Sequence, residues 1–146
     1  GEIALNFGNV VGEKGKVYSY EIREDFSEVA KKNIDDFGIK NIEIKNQDIK
    51  EGIDEEEIDL VFLDLPKPFE IFEDVYKNLR LGGWLAVYAP YIQQAEVSYK
   101  IAKKVGFTDL KISETLEREM EVRPQGTRPK TRMVGHSGYL IFARKL

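Results

Sequence analysis

The chain has 146 residues, 42% of them hydrophobic and 33% charged, and its net charge is −4. This composition is typical of one soluble globular domain, argues against a disordered or membrane-spanning chain, and argues mildly against a general nucleic-acid binder. The lack of cysteine excludes disulfides, thiolate metal sites and cysteine nucleophiles, and the single histidine excludes a multi-histidine metal site.

The first predicted element is a helix over residues 2–11, because apolar residues recur there on one helical face. That face carries Ile3, Phe7 and Val10. Glycine-rich turn residues follow it, and the apolar segment Val17–Ile22 predicts the first strand.

The second predicted helix begins at a capping box, with Asp25 as the N-cap and Glu28 three residues later. Gly38 supplies its C-terminal stop. The apolar residues that recur at helical spacing are Phe26, Val29, Ala30, Ile34 and Phe37.

Strands and helices then alternate along the middle of the chain. A strand through Asp48 is followed by an acidic loop at residues 54–57 and by a strand through Asp64. Phe69–Leu79 is predicted to be a helix, and Gly83–Ala89 the next strand. Such alternation favours a parallel sheet with right-handed crossovers.

The pattern changes after a further helix over residues 92–105. From Leu110 to Arg123 apolar and polar side chains alternate, which predicts one long, half-exposed strand. Gly138–Ala143 predicts a buried last strand. Two strands without a helix between them predict an antiparallel hairpin at the end of a mostly parallel sheet.

The N-terminal helix begins at once, with only Gly1 before it. A doubly wound sheet is normally built on a central first strand, and the glycine-rich turn after that strand holds the cofactor. A sheet without this strand would leave two rows of backbone groups unpaired. We therefore expect the chain to be part of a longer protein.

Three predicted strands each lead into a single carboxylate, namely Glu21, Asp48 and Asp64. Ligands of an open parallel sheet bind beyond the carboxyl ends of its strands, so we expect these acids to converge on one cleft and bind a nucleoside. The spacing from Gly1 to Glu21 is that of an acid that binds a ribose, in nicotinamide and methyl-donor enzymes alike. A purely local role, such as Asp48 capping a turn, is the alternative.

Asp64 opens a loop in which Pro66 and Pro68 flank Lys67. Each proline fixes its own φ and restricts the residue before it, so the loop is stiff. A carboxylate held in this way is preorganised for a reaction that depends on alignment and electrostatics. The alternative is an ordinary cap on a strand that ends at a proline.

At this point the chain resembles a known family, the tRNA adenine-N1 methyltransferases that modify adenine 58 of the T-loop, especially the archaeal and bacterial single-gene form. The matching strings are Val11–Gly15, Tyr18–Arg23, Leu63–Pro68, Ala86–Pro90, Arg118–Pro124 and Gly135–Leu140. Two tryptophans usual in that family are Phe69 and Met120 here.

The resemblance implies a Rossmann-like class I methyltransferase fold, lacking its first strand here, with residues 1–146 as a partial catalytic domain. It also implies S-adenosylmethionine as cofactor, tRNA as substrate, and a cytoplasmic homotetramer without metal or membrane. Gly1, Glu21, Asp48 and Asp64 would bind the cofactor, and Asp64 would also lie between the methyl group and the target base as the catalytic residue. The residues implied to bind substrate are Tyr88, Gln94, Arg123, Arg128 and Arg132.

Methyl transfer to adenine N1 needs alignment more than a base, because N1 has a lone pair and a sulfonium methyl group is already activated. Asp64 would accept from the exocyclic amino group and stabilise the positive charge that develops on the base. His136 lies between two glycines, and we expect it to make structural or backbone contacts rather than to act in catalysis.

The segment 123–138 contains no acid but several basic residues, which predicts either a phosphate-contacting strip or a charged surface loop. Two other functions remain open: a small-molecule methyltransferase or nicotinamide oxidoreductase, and a non-catalytic RNA-binding subunit of the same fold. The basic segment disfavours the first alternative, and the presence of both Glu21 and Asp64 disfavours the second.

Overall fold

The computed structural model describes residues 2–146 and divides the chain into two compact units, one ending at Ile53 and the other comprising Asp54–Leu146. The first unit contains α1 (Glu2–Val11), β1 (Val17–Tyr20), α2 (Glu24–Asp36), β2 (Ile42–Lys45) and a short 3-10 helix (Ile49–Glu51). β1 and β2 pair in parallel, with Val17 opposite Ile42 and Tyr20 opposite Lys45.

Helix α1 spans the predicted residues, but the face that carries Ile3, Phe7 and Val10 is not the one that it buries. Its buried residues are Ala4 and Gly8, whereas Val10 is 82% exposed. A Cβ at Gly8 would lie 2.7 Å from Ile42 Cδ1, and the Asn41 side chain donates to the Gly8 carbonyl oxygen at 2.8 Å. The helix therefore approaches β2 so closely that small residues, not the largest apolar ones, form the contact.

Helix α2 also differs from its predicted start and packing. Its N-cap is Arg23 rather than Asp25, which lies in the first turn, where a negative charge suits the helix dipole. The buried residues are Ser27, Ala30 and Ile34. Phe26 and Phe37, which belong to the predicted helical repeat, are exposed, while the predicted stop at Gly38 is confirmed by its φ of 66°.

The second unit contains one four-stranded sheet and a separate hairpin. Its elements are β3 (Ile58–Leu63), a 3-10 helix (Pro68–Ile71), α3 (Phe72–Asn78), β4 (Leu79–Ala89), α4 (Ile92–Val105), β5 (Thr108–Ser113), β6 (Met120–Arg123), β7 (Gly126–Pro129) and β8 (Tyr139–Arg144). The sheet order is β3-β4-β8-β5, with β3 parallel to β4 and β8 antiparallel to both β4 and β5. The antiparallel C-terminal pair is thus confirmed.

The core of this unit lies between α4 and one face of the sheet. Helix α4 packs on β4, β5 and β8. The sheet residues buried to 2% exposure or less are Leu63, Leu79, Leu85, Val87, Ala89, Ile141 and Ala143. On the opposite face Leu60, Trp84 and Phe142 line a shallow depression that is still open to solvent.

Two predicted boundaries in this unit were wrong. The strand expected from Gly83 begins at Leu79, because Leu79 pairs with Ile58 and Gly82 turns the chain with a φ of 79°. The long strand expected up to Arg123 breaks after Ser113, where β5 leaves β8. Its second half becomes β6 and pairs with β7, a strand that the sequence analysis did not predict.

Candidate active site

Glu21 follows β1 directly, and its carboxylate is held by the next turn of chain. Oε1 accepts the backbone N–H of Arg23 at 3.0 Å, and the Arg23 Nε lies 3.8 Å away. The Arg23 guanidinium stacks on the Phe26 ring at 3.3 Å, which holds that side chain over the start of α2. The second carboxylate oxygen forms no hydrogen bond or ion pair with a described residue.

Asp48 follows β2 and caps the short 3-10 helix, accepting the backbone N–H of Lys50 at 2.9 Å. The predicted capping role is therefore confirmed, and it uses only one of the two carboxylate oxygens. Between the two strand ends, Asn46 donates its side-chain amide to the carbonyl oxygens of Glu21 and Ile22, at 2.8 and 3.2 Å. Glu21 and Asp48 thus lie at the same edge of the parallel pair.

Asp64 lies in the second unit, at the corresponding edge of its sheet. Leu63 is paired with Val87, so Asp64 and Tyr88 are the next residues along two adjacent parallel strands. Asp64 is exposed, and Pro68 is buried as the first residue of the 3-10 helix that follows. The stiff loop predicted from the two prolines is therefore an edge-of-sheet loop locked into the core at its far end.

Two predicted substrate-binding residues surround this loop. The Tyr88 hydroxyl donates to the Ser137 carbonyl oxygen at 3.1 Å. The Gln94 side-chain nitrogen lies 3.5 Å from the Pro66 carbonyl oxygen, while its side-chain oxygen is buried and accepts no hydrogen bond in the described part of the chain. Asp64, Tyr88 and Gln94 are therefore gathered at one edge of the second unit.

His136 makes the backbone contact that was expected of it, together with a carboxylate contact that the sequence did not indicate. Its Nε2 lies 2.7 Å from the Pro90 carbonyl oxygen, and its Nδ1 lies 2.8 Å from Glu114 Oε1. The hydrogen bond to Glu114, followed by that to Pro90, raises the pKa of His136 above its ordinary value. A lone histidine between glycines carries no signal of either partner.

Three basic residues in or next to the β6–β7 hairpin are paired with acids. Glu121 contacts both Arg123, at 2.7 Å, and Arg128, at 3.7 Å. Lys130 is paired with Glu119. Glu121 and Arg123 are two residues apart on β6, whereas the pairs of Arg128 and Lys130 depend on the pairing of β6 with β7, which the sequence did not predict. Arg132 is exposed and has no such partner among residues 2–146.

The remaining predictions concern Gly1, a metal and the membrane. Gly1 lies outside the described residues. Residues 2–146 contain no cluster of three or more histidine, cysteine or acidic side chains suited to a metal ion. None of their helices combines the length and the apolar character needed to cross a membrane.

Glu21 and Asp48 belong to one unit and Asp64 to the other, so their convergence on one cleft stays a prediction.

Residues 1–127 match the family described as the tRNA methyltransferase complex GCD14 subunit. The chain belongs to the GCD14 family. A relative from Methanocaldococcus jannaschii, named tRNA (adenine(57)-N(1)/adenine(58)-N(1))-methyltransferase TrmI, is 35% identical over 99% of this chain and 61% of its own length. The tRNA (adenine(58)-N(1))-methyltransferase TrmI of Thermus thermophilus is 31% identical over 99% of this chain and 58% of its own length.

Solved structures show the same fold. A SAM-dependent O-methyltransferase from Thermotoga maritima matches with a TM-score of 0.90 and 36% identity, over 95% of this chain and 53% of that one. The tRNA (m1A58) methyltransferase TrmI from Aquifex aeolicus matches with a TM-score of 0.80 and 31% identity, over 90% and 53%. The Rossmann-like class I methyltransferase fold is thereby confirmed, and this GCD14-family chain spans little more than half the length of these relatives.

Proposed function

We propose that this chain forms the catalytic part of an S-adenosylmethionine-dependent tRNA (adenine-N1)-methyltransferase that modifies adenine 58 of the T-loop. The observation that carries the proposal is the pairing of β3 with β4, which sets Asp64 beside Tyr88 at the carboxyl edge of a methyltransferase sheet. The names of the TrmI relatives support both the target base and adenine 57 as a second target.

The carboxylates of the first unit fit the cofactor. Glu21 and Asp48 each use one oxygen for a local backbone N–H and keep the other without a described partner. Acceptors of this kind suit the hydroxyl groups of a ribose and the amino group of an adenine, respectively. Glu21 would therefore hold the ribose of S-adenosylmethionine, and Asp48 its adenine.

The second unit supplies the groups that act on the methyl acceptor. When bound, S-adenosylmethionine provides a methyl group already activated by the positive charge on its sulfur. Adenine N1 offers its lone pair to that methyl group, so no residue has to remove a proton before the new bond forms. On methyl transfer the adenine ring would take over the positive charge, which residues of this chain would have to stabilise.

Asp64 is the residue suited to that shift of charge. Accepting a hydrogen bond from the exocyclic amino group would raise the electron density at N1, and the carboxylate would stabilise the cationic product. The buried and unpaired oxygen of Gln94 offers a second acceptor to the same polar edge. Tyr88 offers an aromatic face against which an extruded base can stack.

The tRNA backbone would meet the β6–β7 hairpin. Arg123 and Arg128 line a shallow depression at its turn, and Arg132 extends the positive surface beyond β7. Phosphate groups would have to compete with Glu121 for two of these side chains. Because basic side chains that contact phosphates release counterions, tRNA binding should depend strongly on salt. A T-loop adenine is stacked in folded tRNA, and its extrusion costs a few kcal/mol that these contacts must offset.

We further propose a cytoplasmic homotetramer. Large apolar side chains of the hairpin, Met120 and Val122, are exposed in the single chain, which supports burial against another copy. Light scattering on the full-length protein tests the stoichiometry.

Methyl transfer to defined transcripts tests the activity. The full-length protein should transfer labelled methyl groups to an unmodified tRNA with adenine at positions 57 and 58. A transcript with guanine at 58 should lose most of the label, and one with guanine at 57 should report the second site. Label that is independent of both positions would contradict the proposed target.

A small-molecule methyltransferase is the second candidate, because the Thermotoga maritima structure is described as an O-methyltransferase. The same assay separates the two functions: cofactor binding without transfer to any tRNA favours the small-molecule enzyme. Failure to bind cofactor favours a non-catalytic subunit.

A further inference from the structure

The ring of His136 joins two parts of the second unit that are distant in sequence. Nε2 faces the carbonyl oxygen of Pro90, directly after β4, and Nδ1 faces Glu114, directly after β5. The ring also lies 5.1 Å from that of Tyr139, the first residue of β8. His136 therefore lies where the ends of three adjacent strands meet.

Both ring nitrogens face an acceptor. A backbone carbonyl oxygen can only accept, and an ionised carboxylate can only accept, so both bonds form together only when both nitrogens carry a proton. A neutral imidazole has one N–H and can keep one of the two bonds. Both hydrogen bonds are therefore present together only when the ring is charged.

The loop that follows His136 holds Tyr88. The Ser137 carbonyl oxygen accepts from the Tyr88 hydroxyl, and the Ser137 hydroxyl donates to the Thr115 carbonyl oxygen at 3.2 Å. Gly138 is buried against the Tyr88 ring, where a Cβ would come within 2.2 Å of Cε2. The position of Tyr88 therefore depends on the loop that His136 fastens.

We propose that His136 is a positioning residue for methyl transfer, which holds the loop behind Tyr88 and so shapes the pocket for the target base beside Asp64. The inference rests on the proposed function, in which Asp64 and Tyr88 bind the base. It assigns His136 no contact with the substrate. The two hydrogen bonds of His136, to Pro90 and to Glu114, are called the clasp below. Loss of the clasp should weaken tRNA binding and turnover while leaving cofactor binding to Glu21 and Asp48 unchanged.

The clasp should respond to pH near neutrality. The titratable groups that the structure brings to the ring are Glu114 and Tyr139, with Tyr88 in contact with the adjacent Ser137. Because the pKa of His136 is raised above 6.5, the clasp is complete below pH 6.5 and is lost as pH rises through the raised value. The KM for tRNA should therefore rise as pH increases from 6.5 through the raised pKa of His136.

Steady-state kinetics of the full-length enzyme between pH 6 and 9 test this. Glu114→Gln removes the charge that stabilises the imidazolium, so the KM for tRNA should begin to rise at a lower pH than in wild type. At pH 7 the KM of this variant should be about three- to tenfold above that of wild type. His136→Asn keeps one donor at every pH, so its KM should be high and independent of pH. Glu117→Gln removes an equal charge three residues away and should behave as wild type.

The ¹⁵N chemical shifts of His136 give a second, independent measurement. They should show that most of the His136 rings carry a proton on both nitrogens at pH 6.5, and that the pKa of His136 falls in Glu114→Gln. Coincident pH profiles for wild type and Glu114→Gln would overturn the proposal, as would a His136 pKa at or below 6.5. A wild-type enzyme without transfer to tRNA would instead overturn the proposed function, and the ¹⁵N titration would still decide whether the clasp exists.

Discussion

The side-chain amide of Asn46 donates a hydrogen bond to the carbonyl oxygen of Glu21 at 2.8 Å. A second bond from the same amide reaches Ile22, and the backbone N–H of Glu21 donates to the Lys45 carbonyl oxygen at 2.9 Å. The chain after β1 is therefore fastened to the end of β2 on both sides of Glu21. The carboxylate proposed to hold the ribose is placed by its neighbour as much as by its own strand.

We expect Asn46→Ala to weaken cofactor binding about three- to tenfold, because losing one or two hydrogen bonds of about 1 kcal/mol each frees the segment that carries Glu21. Turnover at saturating cofactor should stay within about twofold of wild type. Calorimetric titration of the full-length protein with S-adenosylmethionine measures the first effect, and steady-state kinetics the second. Asn6→Ala, on the exposed side of α1, is the matched control.

Asp64→Asn should lower turnover on tRNA by a factor of about 10² to 10³, because a neutral amide no longer stabilises the charge that develops on the adenine. Cofactor affinity should change by less than about fivefold, since Glu21 and Asp48 supply the main contacts. Single-turnover methyl transfer and calorimetry separate the two effects.

Asp74→Asn makes the same chemical change at an exposed position in the first turn of α3 and should leave both quantities near wild type. A comparable loss of cofactor affinity and turnover in Asp64→Asn would assign that residue to the cofactor and not to the base.

Glu121→Gln should strengthen tRNA binding about two- to fivefold at low salt. The substitution releases Arg123 and Arg128 from an exposed carboxylate, so phosphate groups no longer compete with it. Filter binding at two salt concentrations measures the change, with Glu117→Gln as the control for the loss of one negative charge. Unchanged or weaker binding would remove the hairpin from the tRNA-binding surface.

The sequence predicted the order of the elements better than the faces they bury. Continuous apolar runs located β3 and the final strand nearly to the residue, and a period-3.6 pattern did the same for α4. In α1 the buried residues are Ala4 and Gly8, because the helix backbone at Gly8 lies so close to Ile42 that a larger side chain would not fit there. Hydrophobicity alone does not report how near two backbones come.

The candidate site also has residues that the sequence predicted and contacts that it did not. Acids at strand ends were visible in the sequence, because the end of an apolar run is a local signal. The partners of Tyr88 and His136 lie 49 and 46 residues away along the chain, at Ser137 and Pro90, and depend on the antiparallel pairing of β8 with β4. The acid pairs of Arg128 and Lys130 were missed for the same reason, since strand β7 itself was not predicted.

The ion pair between Lys16 and Glu43 should make the first unit sensitive to acid. Its hydrogen bond, 2.7 Å long, lowers the pKa of Glu43 below 4.5. A group with a lowered pKa contributes stability above its ordinary pKa and loses that contribution as pH falls through the lowered value. In Glu43→Gln the free energy of unfolding should therefore be lower at pH 7 and fall less on acidification.

Urea unfolding at pH 7 and at pH 3, followed by hydrogen exchange of the β1 and β2 amides, measures that difference. Glu28→Gln, on the exposed side of α2, controls for the loss of one carboxylate without a described partner. An equal acid dependence in Glu43→Gln and wild type would mean that this exposed pair contributes nothing to stability.

Gly138→Ala should destabilise the second unit by about 2 to 4 kcal/mol, because it combines two costs. A φ of 115° strains any residue with a Cβ, and the added methyl group would come within 2.2 Å of the Tyr88 ring. Gly126→Ala separates these costs: its φ is 146°, but nothing lies within 4 Å of the added Cβ, so only the strain of about 1 kcal/mol remains. Denaturation followed by the fluorescence of Trp84 in β4 reports on this unit, and the double variant Gly138→Ala with Tyr88→Ala should recover the part of the loss that comes from the clash.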